Sequence, residues 1–125
     1  LSMNGTDVFN FTIREVPENI KILLNHSNIS IENIDYVVFH QSNEFIIKFL
    51  AKKLKLPMKC IPISLAEFGN TSGSSIPMTI VTEMKQTVSR KTNLKTIFCG
   101  YGVGLSWGSA LVDLKNCHIS DLVEV

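Results

Sequence analysis

The sequence lacks a long hydrophobic run and lacks a surplus of either charge. No apolar stretch approaches the roughly 20 residues of a membrane-spanning helix. Leu1–Asn10 is neither basic nor continuously apolar, so it is not typical of a signal peptide. With 12 basic and 11 acidic residues, the net charge of +1 gives no electrostatic reason to expect nucleic acid or an acidic membrane as a partner. These absences favour a cytoplasmic protein.

Cysteine is scarce and has no pattern. Cys60, Cys99 and Cys117 are odd in number and lack the spacing of a metal or redox motif. Free thiols in a reducing compartment are therefore expected, with no metal and no bound cofactor. The 125 residues fit one domain, and 45% of them are apolar. The mean hydropathy of +0.20 indicates either a large core or an apolar surface meant for a partner.

Two polar stretches stand out because each follows an apolar run that predicts a buried strand. They are residues 40–43 (His-Gln-Ser-Asn) and 69–75 (Gly-Asn-Thr-Ser-Gly-Ser-Ser). Ligands bind at the carboxyl ends of parallel strands in open α/β sheets, so His40 and Asn70 could point into one crevice. Both are neutral hydrogen-bond donors, suited to an oxygen that gains negative charge. The plainer alternatives are a core histidine bonded to backbone and an asparagine that only forms a turn.

The wider pattern predicts an α/β fold with three layers, α/β/α, around a mixed sheet. Strands are expected near 34–40, 59–65, 95–101 and 106–115, the first three parallel and the last antiparallel. Ser42 or Asn43 should cap the next helix, and a helix near 74–86 has apolar or small residues on nearly every side, which predicts burial all round. Residues 8–13 fit a strand or a helix, and Pro17 should break or kink such a helix.

Two further features have open interpretations. The lysines at 48, 52, 53 and 55 form either a solvated basic face or a docking patch for an acidic partner. The glycines of residues 100–104 predict a tight hairpin whose backbone amides approach something closely.

These motifs together resemble the carboxyl-terminal half of a β-ketoacyl-acyl carrier protein synthase III, in the thiolase-like superfamily. The resemblance covers nearly the whole chain and settles residues 8–13 as helix. Its matching segments are Asp35–Asn43, Ala51–Leu54, Gly69–Pro77 and Gly100–Leu111, with Leu1–Phe9 fitting the lead-in.

The resemblance implies a decarboxylating Claisen condensation in which His40 and Asn70 are catalytic. It also implies an oxyanion-binding backbone at Gly102, Val103 and Gly104, and a substrate contact at Asn43. Lys52 and Lys53 would belong to the carrier-protein patch. Residues 1–125 would form the carboxyl-terminal domain, without the amino-terminal half that holds the nucleophilic cysteine. None of the three cysteines fits that place, so the chain alone is expected to be inactive.

The implied substrates are acyl-CoA and malonyl thioesters, carried on coenzyme A or phosphopantetheine, and the implied partners are acyl carrier protein and a second copy in a homodimer. The implied pathway is fatty-acid initiation. Two residues depart from the family pattern: Val103 replaces a glycine, and Phe45 stands where a basic docking residue is common. A related acyltransferase that forms esters or amides with His40 as general base, and a non-catalytic partner of the same fold, remain alternatives.

Overall fold

The computed structural model describes residues 4–91 and 93–123, so the first three residues of the lead-in lie outside the described part. Its helices are α1 (Gly5–Ser27), α2 (Glu44–Lys53), α3 (Leu65–Phe68), α4 (Ser75–Thr79) and α5 (Lys85–Arg90), with a π-helical segment, Ile80–Met84, joining the last two. Its strands are β1 (Tyr36–Phe39), β2 (Lys95–Gly102) and β3 (Ser106–Asp113). Short 3-10 turns lie at Ile31–Asn33, Met58–Cys60 and Ser72–Ser74.

The described strands form a mixed sheet in the order β1-β2-β3. β1 runs parallel to β2, with Tyr36 opposite Thr96 and Phe39 opposite Cys99. β2 and β3 form an antiparallel hairpin in which Gly102 faces Ser106. Helices cover both faces of this sheet, which confirms the expected α/β fold and the antiparallel last strand.

The strand expected at 59–65 is wrong. Met58–Cys60 is a 3-10 turn, and α3 begins at Leu65. Pro62 has no N–H to give to a ladder, and the N–H of Ser64 donates instead to Oε1 of Gln41, 3.1 Å away. The apolar residues of this segment therefore fill the core without pairing as a strand.

Residues 8–13 are helical, as the resemblance implied, but the expected break at Pro17 is wrong because α1 continues unbroken to Ser27. Proline lacks the N–H that would bond to the carbonyl four residues earlier, here that of Ile13. The Lys53 ammonium donates to this carbonyl at 2.6 Å. A side chain of α2 thus replaces the hydrogen bond that Pro17 removes.

The two faces of the sheet carry separate cores. Helices α1 and α2 cover the larger core, which contains Val16, Ile20, Val37, Phe39, Ile47, Leu50 and Ile97 among its buried residues. The second core lies under the helical run from 75 to 90, and its buried residues are Val38, Met84, Val88, Leu94 and Leu114.

The helical run from 75 to 90 is buried on one side only, which corrects the expectation of burial all round. Thr79 and Met84 are fully buried against the sheet. Ile76 and Ile80 are only half-buried, although both pack against this second core. Within residues 4–91 and 93–123, no helix has the length and apolar character to cross a membrane.

Candidate active site

A cavity of about 670 Å³ opens where β1 ends and β2 enters its hairpin. The amino-terminal end of α1 forms one wall, and the 70–76 segment forms another. His40 and Asn70 both line this cavity, so the fold brings the two motif side chains to one space. Ser75, Tyr101 and Val103 also contribute to its surface.

His40 is held from two directions. Its Nδ1 lies 2.7 Å from Oγ of Ser75, and the edge-to-face ring of Tyr101 lies 5.5 Å away between centroids. The Tyr101 hydroxyl donates to the His40 carbonyl at 3.1 Å. Since that hydroxyl has one hydrogen, the Ser42 hydroxyl must be the donor in its 3.0 Å contact with Tyr101. The imidazole therefore has a fixed position at the cavity wall.

Burial also sets the charge of His40. Desolvation lowers the pKa of the imidazole below its ordinary value, and the nearby backbone carbonyl of Ser72 offsets this only in part. Burial penalises the charged form of any titratable group, so the neutral ring is favoured. A neutral imidazole can donate one hydrogen bond to a ligand, as the sequence argument requires.

Asn70 is oriented by the backbone that follows it. Its Oδ1 accepts a hydrogen bond of 2.9 Å from the N–H of Ser72. Only the carbonyl end of an amide can accept from an N–H, so this contact identifies which end is which. The amide nitrogen is consequently the end left for a ligand. The turn depends on two left-handed residues, Gly69 at φ 62° and Ser72 at φ 54°.

The hairpin lies beside these side chains, but its three expected residues play different parts. Gly102 and Val103 line the cavity, whereas Gly104 is not among its lining residues. Gly104 has φ 138°, and a Cβ there would come within 2.6 Å of Oγ of Ser106, so the turn requires glycine. Val103 has no positive φ, so it adopts its place without the strain that replacing a glycine could have caused.

The remaining predicted residues lie around the cavity rather than at its centre. Asn43 lines the cavity and also caps α2, since its Oδ1 accepts from the N–H of Ile46 at 2.8 Å. Lys52 and Lys53 are exposed near the end of α2 and are not lining residues. Phe45, which departs from the family pattern, is 68% exposed and stacks on Phe9.

No cysteine lines this cavity in the described part of the chain. Cys99 is buried in β2, where desolvation raises the pKa of its thiol to about 12. A thiol with so high a pKa is not a nucleophile at neutral pH. Cys60 is half-buried in a 3-10 turn, and Cys117 is exposed.

Sequence reasoning missed three residues that hold the site together: Ser42, Ser75 and Tyr101. Ser75 lay inside the quoted 69–75 motif, but no pattern within that motif singled it out. Tyr101 was visible as the lone aromatic residue among the hairpin glycines. Their roles depend on contacts between distant segments, which no local pattern reports.

Comparison with known proteins gives a consistent result. A family model described as 3-oxoacyl-[acyl-carrier-protein (ACP)] synthase III C terminal matches residues 24–114. A β-ketoacyl-[acyl-carrier-protein] synthase III of Clostridium acetobutylicum is 43% identical over 112 residues, which is 90% of this chain and 34% of that protein. The enzyme of the same name from Lactococcus lactis is 38% identical over 115 residues, 91% of this chain and 35% of that protein.

The likeness extends to solved structures. The crystal structure of a 3-oxoacyl-(acyl-carrier protein) synthase from Burkholderia xenovorans matches with a TM-score of 0.92 and 38% identity. The match covers 98% of this chain and 35% of that one. The chain thus spans about a third of the length of the curated relatives it matches. The family match includes both β1 with His40 and the hairpin, and the chain belongs to the 3-oxoacyl-[acyl-carrier-protein] synthase III C-terminal family.

Proposed function

We propose that this chain supplies the His/Asn pair of a β-ketoacyl-acyl carrier protein synthase III. The complete protein would condense an acyl thioester with malonyl-acyl carrier protein in fatty-acid initiation. One observation carries the proposal: His40 and Asn70 line the same cavity, with Nδ1 of His40 2.7 Å from Oγ of Ser75 and Oδ1 of Asn70 accepting from the N–H of Ser72. We infer that Nε2–H of His40 and the amide N–H of Asn70 are the donors offered to a ligand.

The chemistry follows from this arrangement. When a malonyl thioester loses carbon dioxide, the carbon–carbon bond breaks and its electron pair passes to the enolate, whose charge rests largely on the thioester oxygen. Donors from His40 Nε2 and Asn70 Nδ2 stabilise that oxygen. Each donor is worth about 3 kcal/mol by analogy with oxyanion-hole mutants. The enolate carbon then attacks the acyl carbonyl held on the cysteine of the amino-terminal half, and the cysteine thiolate leaves.

The rest of the site has matching roles in this proposal. Backbone amides of residues 102–104 bind the second oxyanion, and Asn43 contacts the substrate at the cavity wall. Lys52 and Lys53 contribute to carrier-protein docking, with the exposed Phe45 making this surface more apolar. The proposed partner is acyl carrier protein, and the proposed substrates are thioesters of coenzyme A or phosphopantetheine. The complete protein would be a homodimer in the cytoplasm. The carrier-protein part is supported by the similarity to β-ketoacyl-[acyl-carrier-protein] synthase III of other organisms.

A His40→Ala substitution in the complete protein tests the function. Decarboxylation of malonyl thioester should fall by at least about a hundredfold, because one preformed donor is removed. Loading of the acyl group onto the cysteine should continue. The measurements are release of carbon dioxide and mass spectrometry of the acyl-enzyme.

His26→Ala is the matched control, since His26 is exposed in the last turn of α1. It should leave both steps unchanged. If His40→Ala abolishes loading as well, His40 acts as a general base and the ester- or amide-forming acyltransferase is the better description. Unchanged decarboxylation would reject the catalytic role of His40 and favour a non-catalytic partner.

A further inference from the structure

Ser75 lies directly beneath the proposed catalytic histidine. The residue is 1% exposed, and its hydroxyl contacts two groups of the 40–41 segment. One is Nδ1 of His40 at 2.7 Å, and the other is the backbone N–H of Gln41 at 3.3 Å. A buried hydroxyl costs stability unless it is hydrogen-bonded, so these contacts explain why a serine is tolerated there.

The direction of these hydrogen bonds follows from what each group can do. The Gln41 N–H can only donate, so Oγ of Ser75 accepts from it. The hydroxyl hydrogen then has one acceptor among the partners found in the described residues, which is Nδ1 of His40. In a neutral imidazole one nitrogen accepts and the other carries the hydrogen. An accepting Nδ1 therefore leaves the hydrogen on Nε2.

A buried polar network keeps Ser75 in this position. Its carbonyl accepts from the Thr79 hydroxyl at 2.8 Å, and Oγ of Ser64 lies 2.7 Å from that hydroxyl oxygen. Ser64 donates its N–H to Gln41, whose amide nitrogen donates to the carbonyl of Phe39 at 2.9 Å. Each of these four polar side chains is at most 3% exposed. The network ties the first turn of α4 to the end of β1.

We propose that Ser75 is a positioning residue that holds neutral His40 in the tautomer with hydrogen on Nε2. This inference rests on the proposed function, which needs Nε2 as a donor toward the thioester oxygen. Without the Ser75 hydroxyl, Nδ1 has no fixed donor and the ring can place its hydrogen on either nitrogen. The Ser72 carbonyl near the ring is then free to compete for that hydrogen.

The direct test is the nitrogen-15 spectrum of the complete protein labelled at its histidine rings, with His40 assigned by His40→Gln. At pH 8, where the ring is neutral, Nδ1 should give the shift of a bare nitrogen and Nε2 that of an N–H. In Ser75→Ala the two shifts should move toward each other as the tautomers mix. Turnover of malonyl decarboxylation should fall about tenfold with acyl loading retained.

Two variants separate this role from a merely structural one. Ser75→Thr keeps the hydroxyl and should restore the Nε2–H signals and most of the turnover. Thr82→Val removes a hydroxyl that donates to the carbonyl of Met78 at 3.0 Å, on the same helical run but outside this network, and it should leave the His40 shifts unchanged.

The outcomes distinguish this inference from the proposed function. Hydrogen on Nδ1 in the unaltered protein overturns the inference even if Ser75→Ala fails to fold. Unchanged shifts in Ser75→Ala overturn it too, whatever happens to turnover. If His40→Ala keeps full decarboxylation, the proposed function fails, while the spectra still decide whether Ser75 sets the tautomer.

Discussion

The two faces of the sheet are closed to different degrees. On the face under α1 and α2, core residues such as Ile20, Ile47 and Leu50 are completely buried. On the other face, Met84 and Val88 are buried against the sheet, but Ile80 on the same helical run stays half-exposed. The first face is a finished core made by this chain alone. The helical run over the second face keeps apolar residues, such as Ile80 and Val81, only half-buried.

The largest expected effect compares one isoleucine from each face. Ile47→Ala should destabilise the 125-residue chain by about 2–5 kcal/mol, since it leaves a cavity in a closed core. Ile80→Ala should cost less, about 1–2 kcal/mol, because its side chain is only partly removed from water. Denaturant unfolding followed by circular dichroism measures both. Equal losses in the free energy of unfolding would show that the second face is as closed as the first.

The open side of the second face should cause self-association of the chain expressed alone. Ile76, Ile80 and Val81 of the helical run are only half-buried, and covering the rest of each side chain would contribute part of the about 1.5–3 kcal/mol that complete burial is worth. A dimer formed through this helical run would bury these side chains in its interface. Met84 of the same run is fully buried within the chain and does not contribute.

Light scattering and binding of an apolar dye measure this association. Ile80→Lys should shift the chain toward monomer, because a charge on the pairing surface is costly to bury. Ile22→Lys is the matched control: Ile22 is 59% exposed on α1, away from this face, and its change should leave the association intact. A monomer that binds no dye would contradict the idea.

Patterns within one segment predicted much of this molecule. The β-branched run before His40 gave a parallel strand, and the glycines of 100–104 gave the hairpin into β3. His40 and Asn70 do line one cavity, although the strand expected before Asn70 is absent. The strand at 59–65 failed because a buried glutamine, not a neighbouring strand, takes the Ser64 N–H.

What escaped prediction depends on contacts between distant segments. Pro17 disrupts an isolated helix, and nothing near it in the sequence shows that Lys53 supplies a replacement donor 36 residues later. The same holds for Ser75, which is separated from His40 by 35 residues. Side-chain partners of this kind are set by packing, whereas propensity and periodicity describe only the local chain.

The smallest expected effect lies on the closed face and separates two neighbouring lysines. Lys53→Met removes the donor to the Ile13 carbonyl, and it should cost about 1 kcal/mol, because the contact is exposed and water can replace it in part. Lys52→Met should leave the unfolding midpoint unchanged, since the Lys52 side chain is exposed and makes no hydrogen bond in the described structure. Methionine keeps the apolar stem in both variants, so only the ammonium group differs.

Carrier-protein affinity adds the second readout for these lysines. If both belong to the docking patch, each variant should weaken binding of acyl carrier protein by the complete enzyme, measured by the salt dependence of KM. In another outcome, only Lys53→Met loses stability and only Lys52→Met loses affinity. That result would mean that Lys53 supplies the missing hydrogen bond of α1 and that Lys52 alone binds the carrier protein. Equal stability of the two variants would show that Pro17 needs no replacement donor, because water already serves the Ile13 carbonyl.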